Sequence, residues 1–183
     1  GVPFAGTEDD LIPAGESAKG FHVVHPMPTG SNYPVFDDIR KHVYGGGNKG
    51  NLQDMTRFGL TYYNRGITYG GINTEAVRVA QKKFGNKPLT GEQIQWGLEN
   101  LNLDEKRLKE LGVWGLVQPI KSSCMDHEGG GAAKVFQWNG TALVPVSDWI
   151  PGDKALTRPI IEESAAKYAK EKGITPRDCS KVN

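Results

Sequence analysis

The sequence has 183 residues, of which 37% are hydrophobic and 23% are charged, with 24 glycines and 11 prolines. This balance is typical of a globular α/β protein with many turns and excludes an extended disordered chain. The 22 basic and 21 acidic side chains leave a net charge of +1, which argues against nucleic acid or an anionic membrane surface as a partner. The sequence contains no run of about 18 apolar residues of the kind that a membrane-spanning helix needs.

The first part of the chain predicts a strand end, a long loop and a second strand. Residues 1–20 contain a short apolar start, then acidic residues and Pro13, which indicates a strand end followed by a loop. Phe21–His25 is rich in β-branched and aromatic residues and is stopped by Pro26, so we expect a strand there. The start at Gly1 has no initiator Met, which indicates an internal cut and leaves open whether an export signal preceded it.

Helical patterns follow in the middle of the chain. Apolar residues recur at helical spacing in two stretches, and two further stretches carry capping residues at their starts. The predicted helices are 34–44, 62–83, one that begins at Thr90 with a Thr90–Gln93 capping box, and one from Asp104 that ends at Gly112. Gly45–Gly50 matches G-x-G-x-x-G by letter, but it follows a helix instead of a strand, so we interpret it as a loop and not as a dinucleotide site.

The last third of the chain returns to strands. Residues 116–120, 132–138 and 142–146 favour strands, and Asn139-Gly140 supplies positive φ angles for a tight hairpin between the last two. A final helix is predicted from Thr157 through Lys172, with Gly173 ending it. This order predicts a segment that leaves one lobe, adds helices to another and returns.

Four stretches in this order resemble the substrate-binding proteins of branched-chain amino-acid-type ABC transporters. They are Gly6–Phe21, Tyr63–Gly66 with Glu75–Ala76, Pro88–Glu92 with Trp96–Leu101, and Asp126–Gly131 leading into Gln137–Trp138. The resemblance implies an α/β, type I periplasmic-binding-protein-like fold, in which two α/β lobes joined by hinge crossovers close on a small polar ligand.

The resemblance further implies that this chain is a fragment, the C-terminal half only, with parts of both lobes. Residues 1–25 would be the end of lobe two with the first crossover, 26–115 the helical second half of lobe one, and 116–183 the return to lobe two with a hairpin and a C-terminal helix. Both lobes would then expose sheet edges and apolar faces. A missing N-terminal half of the same protein, or a second copy, would cover them.

The same resemblance implies a ligand cleft. Glu8 stands where the family places the acid that accepts a ligand ammonium, and Tyr62, Tyr63, Asn64 and Arg65 stand where it places an aromatic wall at a helix start. Unpaired amides at that helix start would also favour a carboxylate. Phe4, at a position where close relatives often have tryptophan, would be a further ligand contact. The alternative interpretations are a solvated acidic turn or a helix cap for the acids, and core aromatics with a surface arginine.

Cys124 and Cys179 are the only cysteines. In an exported protein we expect them to form a disulfide that holds the C-terminal tail to the returning lobe. The alternative is a nucleophilic or metal-binding role for Cys124 with His127. We predict no metal and no cofactor.

The resulting functional hypothesis is a periplasmic solute-binding protein, and not an enzyme, that delivers a small amino-acid-like solute to the membrane permease of an ABC transporter. One alternative is a ligand-sensing domain of the same fold. Another is an amide hydrolase that uses Cys124 and His127.

Overall fold

The computed structural model describes residues 5–47, 50 and 52–181, which form helices and strands in a mixed α/β order. The helices are α1 Glu8–Ala14, α2 Pro34–Ile39, α3 Thr61–Phe84, α4 Gly91–Glu99, α5 Glu105–Glu110 and α6 Lys154–Lys172. The strands are β1 His22–His25, β2 Asn102–Leu103, β3 Ile120–Lys121, β4 Ala132–Trp138, β5 Leu143–Pro145 and β6 Ile150–Pro151. Short helical turns lie at Gly15–Ala18, Arg40–Tyr44, Gly45–Gly47, Met55–Arg57 and Cys179–Lys181.

β4 organises the larger sheet, because every other strand of that sheet pairs with it in antiparallel fashion. β1 pairs along its whole length, and β5 returns from β4 through the predicted hairpin. The hairpin loop is wider than the tight turn we predicted: Trp138 pairs with Leu143, and of the turn residues only Gly140 has a positive φ, 106°. The Asn139 side chain stabilises the loop by accepting the backbone amides of Thr141 and Ala142, each at 2.9 Å.

Two apolar cores lie on different parts of the chain. The sheet core consists of Leu11, Ala18, Val23, Phe136, Trp138 and Leu143. The helical core consists of Phe36, Ala76, Leu101, Leu103, Leu108, Leu116 and Val117. The sheet core therefore combines the start of the chain with β4 and β5, and the helical core combines α2 to α5 with the segment after them. The predicted lobe boundaries, 1–25, 26–115 and 116–183, stay a prediction.

Three local predictions need correction. The strand end and long loop predicted for 1–20 are replaced, within the described residues 5–20, by the helix Glu8–Ala14. The predicted strand 116–120 is reduced to Ile120–Lys121, because the amides of Leu116 and Val117 both bond to the Val113 carbonyl while their side chains enter the helical core. The last helix begins at Lys154 and not at Thr157, because the Asp153 carboxylate accepts the Leu156 amide at 3.0 Å and caps it.

α4 lies directly on the backbone of α3, and a glycine permits that approach. A Cβ on Gly97 would come within 2.2 Å of the Ala76 carbonyl oxygen and 3.0 Å of the Ala80 Cβ. Any side chain at this position would therefore push the two helices apart. Gly91, at the start of the same helix, has open space around it.

We predict that Gly97→Ala lowers the free energy of unfolding by about 2–3 kcal/mol, because the added methyl meets backbone and not a movable side chain. Gly91→Ala is the matched control in the same helix and should change it by less than about 1 kcal/mol. Denaturant titration of both variants measures the difference. Equal effects of the two substitutions would show that the α3–α4 approach is not as close as described.

A buried carboxylate on α3 fixes α5. Glu75 accepts Nε and Nη2 of Arg107 at 2.7 and 2.9 Å, and it also contacts Arg78. The Arg107 hydrogen bonds hold the pKa of Glu75 below its usual value of 4.5, and they outweigh the effect of burial, which acts in the opposite direction. This pairing of planar groups ties two helices of the core together.

A carboxylate whose pKa is lower in the folded than in the unfolded state adds stability above pH 4.5, and that contribution is lost as the pH falls through the folded-state value. Glu75→Gln should therefore lower the free energy of unfolding by about 2 kcal/mol at pH 7. The difference in unfolding free energy between this variant and the wild type should become smaller as the pH falls below about 4. Asp37→Asn, which removes an exposed pair with Arg40, should cost less than about 0.5 kcal/mol. If the difference in unfolding free energy between Glu75→Gln and the wild type stays constant down to about pH 3, the pKa of Glu75 is not lowered by its arginine partners.

Candidate functional site

The acidic stretch near the start of the chain begins α1. The Asp10 carboxylate accepts the amides of Gly6 and Thr7 and the Thr7 hydroxyl, each at 3.1 Å. The backbone hydrogen bond from Thr7, followed by that from Gly6, lowers the pKa of Asp10. The helix-capping alternative is therefore the correct one for Asp10, and the sequence from Thr7 to Asp10 explains why a helix forms where we expected a loop.

Glu8 turns away from solvent and is only 4% exposed. Its Oε2 accepts the backbone amide of Thr61, the first residue of α3, at 3.1 Å. This bond joins α1, which belongs to the sheet core, to α3, which belongs to the helical core. A negative charge at a helix N-terminus is favourable, so Glu8 contributes to the position of both helices.

Asn64 lies at the same end of α3 and ties it to the segment after β1. Its side chain is fully buried, and Nδ2 donates to the carbonyls of Pro28 and Gly30, each at 3.0 Å. The amide that we predicted to face a ligand is thus used inside the protein. The predicted ligand role of Asn64 stays a prediction.

The aromatic pair at the start of α3 divides into two roles. Tyr63 packs against Phe58 with ring centroids 4.9 Å apart, and its hydroxyl lies 3.1 Å from that of Tyr44. Burial, together with the Tyr44 hydrogen bond, raises the pKa of Tyr63. Tyr62 is 45% exposed, and the guanidinium of the buried Arg65 lies 5.4 Å from the centre of its ring.

Two adjoining cavities lie beside α1, the turn Met55–Arg57 and the start of α3, and together we call them the cleft. The larger, of about 410 Å³, is lined by Glu8, Asp9, Ile12, Pro13, Asp54, Thr56, Arg57, Leu60 and Thr141. The smaller, of about 200 Å³, is lined by Asp9, Leu52, Arg57, Leu60, Tyr62 and Tyr63. Glu8 and Tyr63 therefore border neighbouring cavities that share three wall residues. The predicted contact Phe4 lies outside the described residues.

Two solved structures are similar to this chain. A protein described as an ABC transporter permease from the Pseudomonas fluorescens group is 46% identical, with a TM-score of 0.93 over 98% of this chain and 43% of its own. A branched-chain amino-acid ABC transporter from Thermus thermophilus with bound valine is 20% identical, with a TM-score of 0.63 over 83% of this chain and 38% of its own. No protein-family model and no curated protein sequence matches.

The chain has part of a type I periplasmic-binding-protein fold. It spans less than half the length of either neighbour, and both neighbours are ABC transporter components. Within the residues that the structure describes, no helix is long and apolar enough to cross a membrane.

In this binding-protein fold, the cleft contains an ion pair, Arg57 with Asp9, that the sequence did not predict. Arg57 lies in the turn Met55–Arg57, and its Nη2 contacts Asp9 Oδ1 across the cleft. We had considered Asp9 only as part of an acidic turn, and nothing in the sequence near Arg57 predicts that it meets a residue 48 positions earlier. Asp54 accepts the Thr56 amide at 2.9 Å and so caps the turn Met55–Arg57. This local interaction could have predicted the turn, but not the contact of Arg57 with Asp9.

The predicted disulfide is present between Cys124 and Cys179, whose Cα atoms are 5.6 Å apart. Beside it, Arg177 and His127 both contact the buried carboxylate of Glu99 on α4, His127 Nε2 at 3.3 Å. Burial favours the neutral form of Glu99, but hydrogen bonds from Gln95 and Arg177 outweigh it and lower the pKa. The bridge therefore holds the C-terminal tail against the helical part of the fold.

The disulfide also bears on the chemical alternatives. Cys124 is oxidised, so the thiol required by a Cys124–His127 hydrolase is engaged in a bond. Within residues 5–47, 50 and 52–181 no three His, Cys, Asp or Glu side chains are grouped in a way that could hold a metal ion.

We predict that reduction of the disulfide lowers the free energy of unfolding by about 2–4 kcal/mol, because the cross-link removes conformations from the unfolded chain. A double variant with Cys124→Ser and Cys179→Ser should have the stability of the reduced wild type and no response to reductant. Thermal unfolding with and without reductant tests this. A wild type that unfolds at the same temperature in both conditions would contradict the role of the bridge.

Proposed function

We propose that this chain is part of a periplasmic solute-binding protein that delivers a small amino-acid-like solute to the membrane permease of an ABC transporter. The observation that carries the proposal is a cleft with charged and aromatic residues in its walls, within part of a type I binding-protein fold. Binding and release require no covalent chemistry, so the proposed protein is not an enzyme. The similarity to ABC transporter components supports a role in transport.

The walls of the cleft suit a ligand that carries charge. Burying an ammonium or a carboxylate without a partner is costly, so its partners must already be in place. Glu8 and Asp9 supply negative charge, Arg57 supplies positive charge, and the rings of Tyr62 and Tyr63 supply apolar surface. An amino-acid-like solute presents complementary groups.

We further propose that an N-terminal half of the same protein completes both lobes. α6 contains no buried residue, and Leu156, Ile160 and Tyr168 are 64, 62 and 56% exposed. The protein from the Pseudomonas fluorescens group matches this chain over only 43% of its own length. The rest of a protein of that length would be long enough to cover this surface. A stable dimer of the 183-residue chain in light scattering would instead favour a second copy as the cover.

Thermal-shift screening of the protein that carries this chain, against amino acids, their amides and aromatic acids, tests the proposal. Binding of a solute at 100 times its Kd should raise the free energy of unfolding by about 2.7 kcal/mol. Screening should return at least one solute with an ammonium group, and permease-containing vesicles should import it only when the protein is present. Failure of every solute in the screen to bind would overturn the proposal.

We predict that Glu8→Gln weakens binding of an ammonium-bearing solute about tenfold, because the carboxylate charge is lost. The amide oxygen can still accept the Thr61 amide, so the stability of the unliganded protein should change little. Glu16→Gln is the matched control, since Glu16 lies just beyond α1 with an 86% exposed side chain. Calorimetric titration measures both variants, and equal affinity of Glu8→Gln and the wild type would remove Glu8 from the binding site.

A further inference from the structure

The Cys124–Cys179 disulfide joins the two segments that bring positive charge to Glu99. Arg177 lies two residues before Cys179, and His127 lies three residues after Cys124. Both side chains contact Glu99 Oε1. The bridge therefore fixes, with one covalent bond, the relative position of a loop and a tail whose cysteines are 55 residues apart in sequence.

Glu99 depends on these cations more than an acid on the surface would. Its side chain is 2% exposed, and it is the last residue of α4, where the negative end of the helix dipole opposes a negative charge. Its Oε1 contacts Arg177, His127 at 3.3 Å and Gln95 at 2.9 Å. Among the described residues, Oε2 has no hydrogen-bond partner. The buried charge is therefore compensated at one oxygen alone, and loss of a cation there is costly.

The other charged residue in the cavity beside Glu99 is an acid. This cavity, of about 310 Å³, is lined by Glu99, His127 and Glu128, while α3 and β3 each contribute an isoleucine to it. A second carboxylate makes a negative charge on Glu99 less favourable. Within the part of the chain that the structure describes, Arg177 and His127 are thus the cations in contact with Glu99.

The C-terminal tail, residues 173–181, offers little packing that could keep Arg177 in place. Residues 173–178 are all exposed, and the Arg177 side chain is 46% exposed. Fixing a long, exposed side chain costs conformational entropy, which offsets much of the gain from an ion pair. The covalent bond at Cys179 reduces that cost, because it keeps the guanidinium close to Glu99 in every conformation of the tail.

We propose that the disulfide is a redox-dependent latch: when closed it holds Arg177 on Glu99, and its reduction by a dithiol releases the guanidinium from the buried carboxylate. In this exchange the dithiol donates two electrons and two protons. The bond between the two cysteine sulfurs breaks, two cysteine thiols form, and the reductant leaves as its own disulfide. Cys124 and Cys179 are both partly exposed, so a small dithiol can reach them. The latch acts on the folded state and does not depend on the proposed function.

The latch couples the redox state of the protein to the pH dependence of its stability. Burial acts to raise the pKa of Glu99, but in the closed form hydrogen bonds from Gln95 and Arg177 lower it below its usual value of 4.5. The resulting stabilisation is present above pH 4.5 and is lost as the pH falls through the folded-state value. Opening the latch removes the contribution of Arg177, so the pKa of Glu99 rises relative to the closed form. The closed form should therefore have its largest advantage near pH 7, and a smaller one in acid.

Denaturant titration of the protein that carries this chain, between about pH 3.5 and pH 7, tests the latch. The double variant with Cys124→Ser and Cys179→Ser is the open form at every pH, and the wild type with dithiothreitol at pH 7 should match it. The ratio of its unfolding equilibrium constant to that of the wild type should be about tenfold larger at pH 7 than at about pH 3.5. Adding Glu99→Gln to both proteins should abolish this change of the ratio with pH, because the amide does not titrate. A cross-link that acts only on the unfolded chain gives a ratio that is the same at both pH values.

Arg177→Gln keeps the bridge and removes the cation, so it tests the latch even if the double variant does not fold. The ratio of its unfolding equilibrium constant to that of the wild type should show the same change with pH, about tenfold. Arg158→Gln is the matched control, since Arg158 contacts the Met125 carbonyl in the same loop and Glu162 on its own helix. Its ratio should change by less than about threefold with pH. If the ratio for the double variant or for Arg177→Gln does not change with pH, the latch is wrong and the bridge acts through the unfolded chain alone.

Discussion

A buried carboxylate at the start of a long helix sets the geometry of this molecule. Glu8 is on α1, whose Leu11 belongs to the sheet core, while its partner Thr61 begins α3, which carries Ala76 into the helical core. A charge removed from water needs a partner, and here a backbone amide of the other core provides it. Together with the Asn64 hydrogen bonds to Pro28 and Gly30, this bond holds the start of α3 in place beside the cleft.

Beside that buried contact lies a more exposed one, between Asp9 and Arg57. Glu8 and its neighbour Asp9 both point toward the segment that contains α3, but Glu8 is enclosed and Asp9 is partly open to solvent. The Glu8 bond therefore fixes two helices in the interior, whereas the Asp9–Arg57 pair is partly open to solvent in the wall of the cleft.

Local chemistry was sufficient to predict much of the fold. The Thr90–Gln93 capping box, the Asp104 cap with Gly112 and the Cys124–Cys179 bridge are all present, and the strand predicted at Phe21–His25 is present at His22–His25. The two caps and the strand each depend on residues a few positions apart, and the cysteines had only each other as partners. Patterns over short distances carry that information directly.

The features that the sequence analysis predicted wrongly, or did not predict, depend on contacts between distant parts of the chain or on a choice between two local roles. We predicted a loop where α1 forms, because we preferred a ligand role for the acids to the helix-cap alternative, and Thr7 and Asp10 do build such a cap. The stretch after Gly115 is apolar enough for a strand, but contacts with the helical core bend it. Arg57 meets Asp9 from 48 positions away, and only the folded chain brings them together. Long-range pairing of this kind leaves no local pattern in a single sequence.

A crystal structure of the protein that carries this chain, with L-valine or with the amino acid that binds best, is the most direct test of the proposed solute site. We expect ligand density between α1 and the turn Met55–Arg57, with Glu8 still bonded to the Thr61 amide. Ligand density in the apolar cavity lined by Val35, Ile67 and Ile72, with an empty cleft beside Glu8, would contradict it.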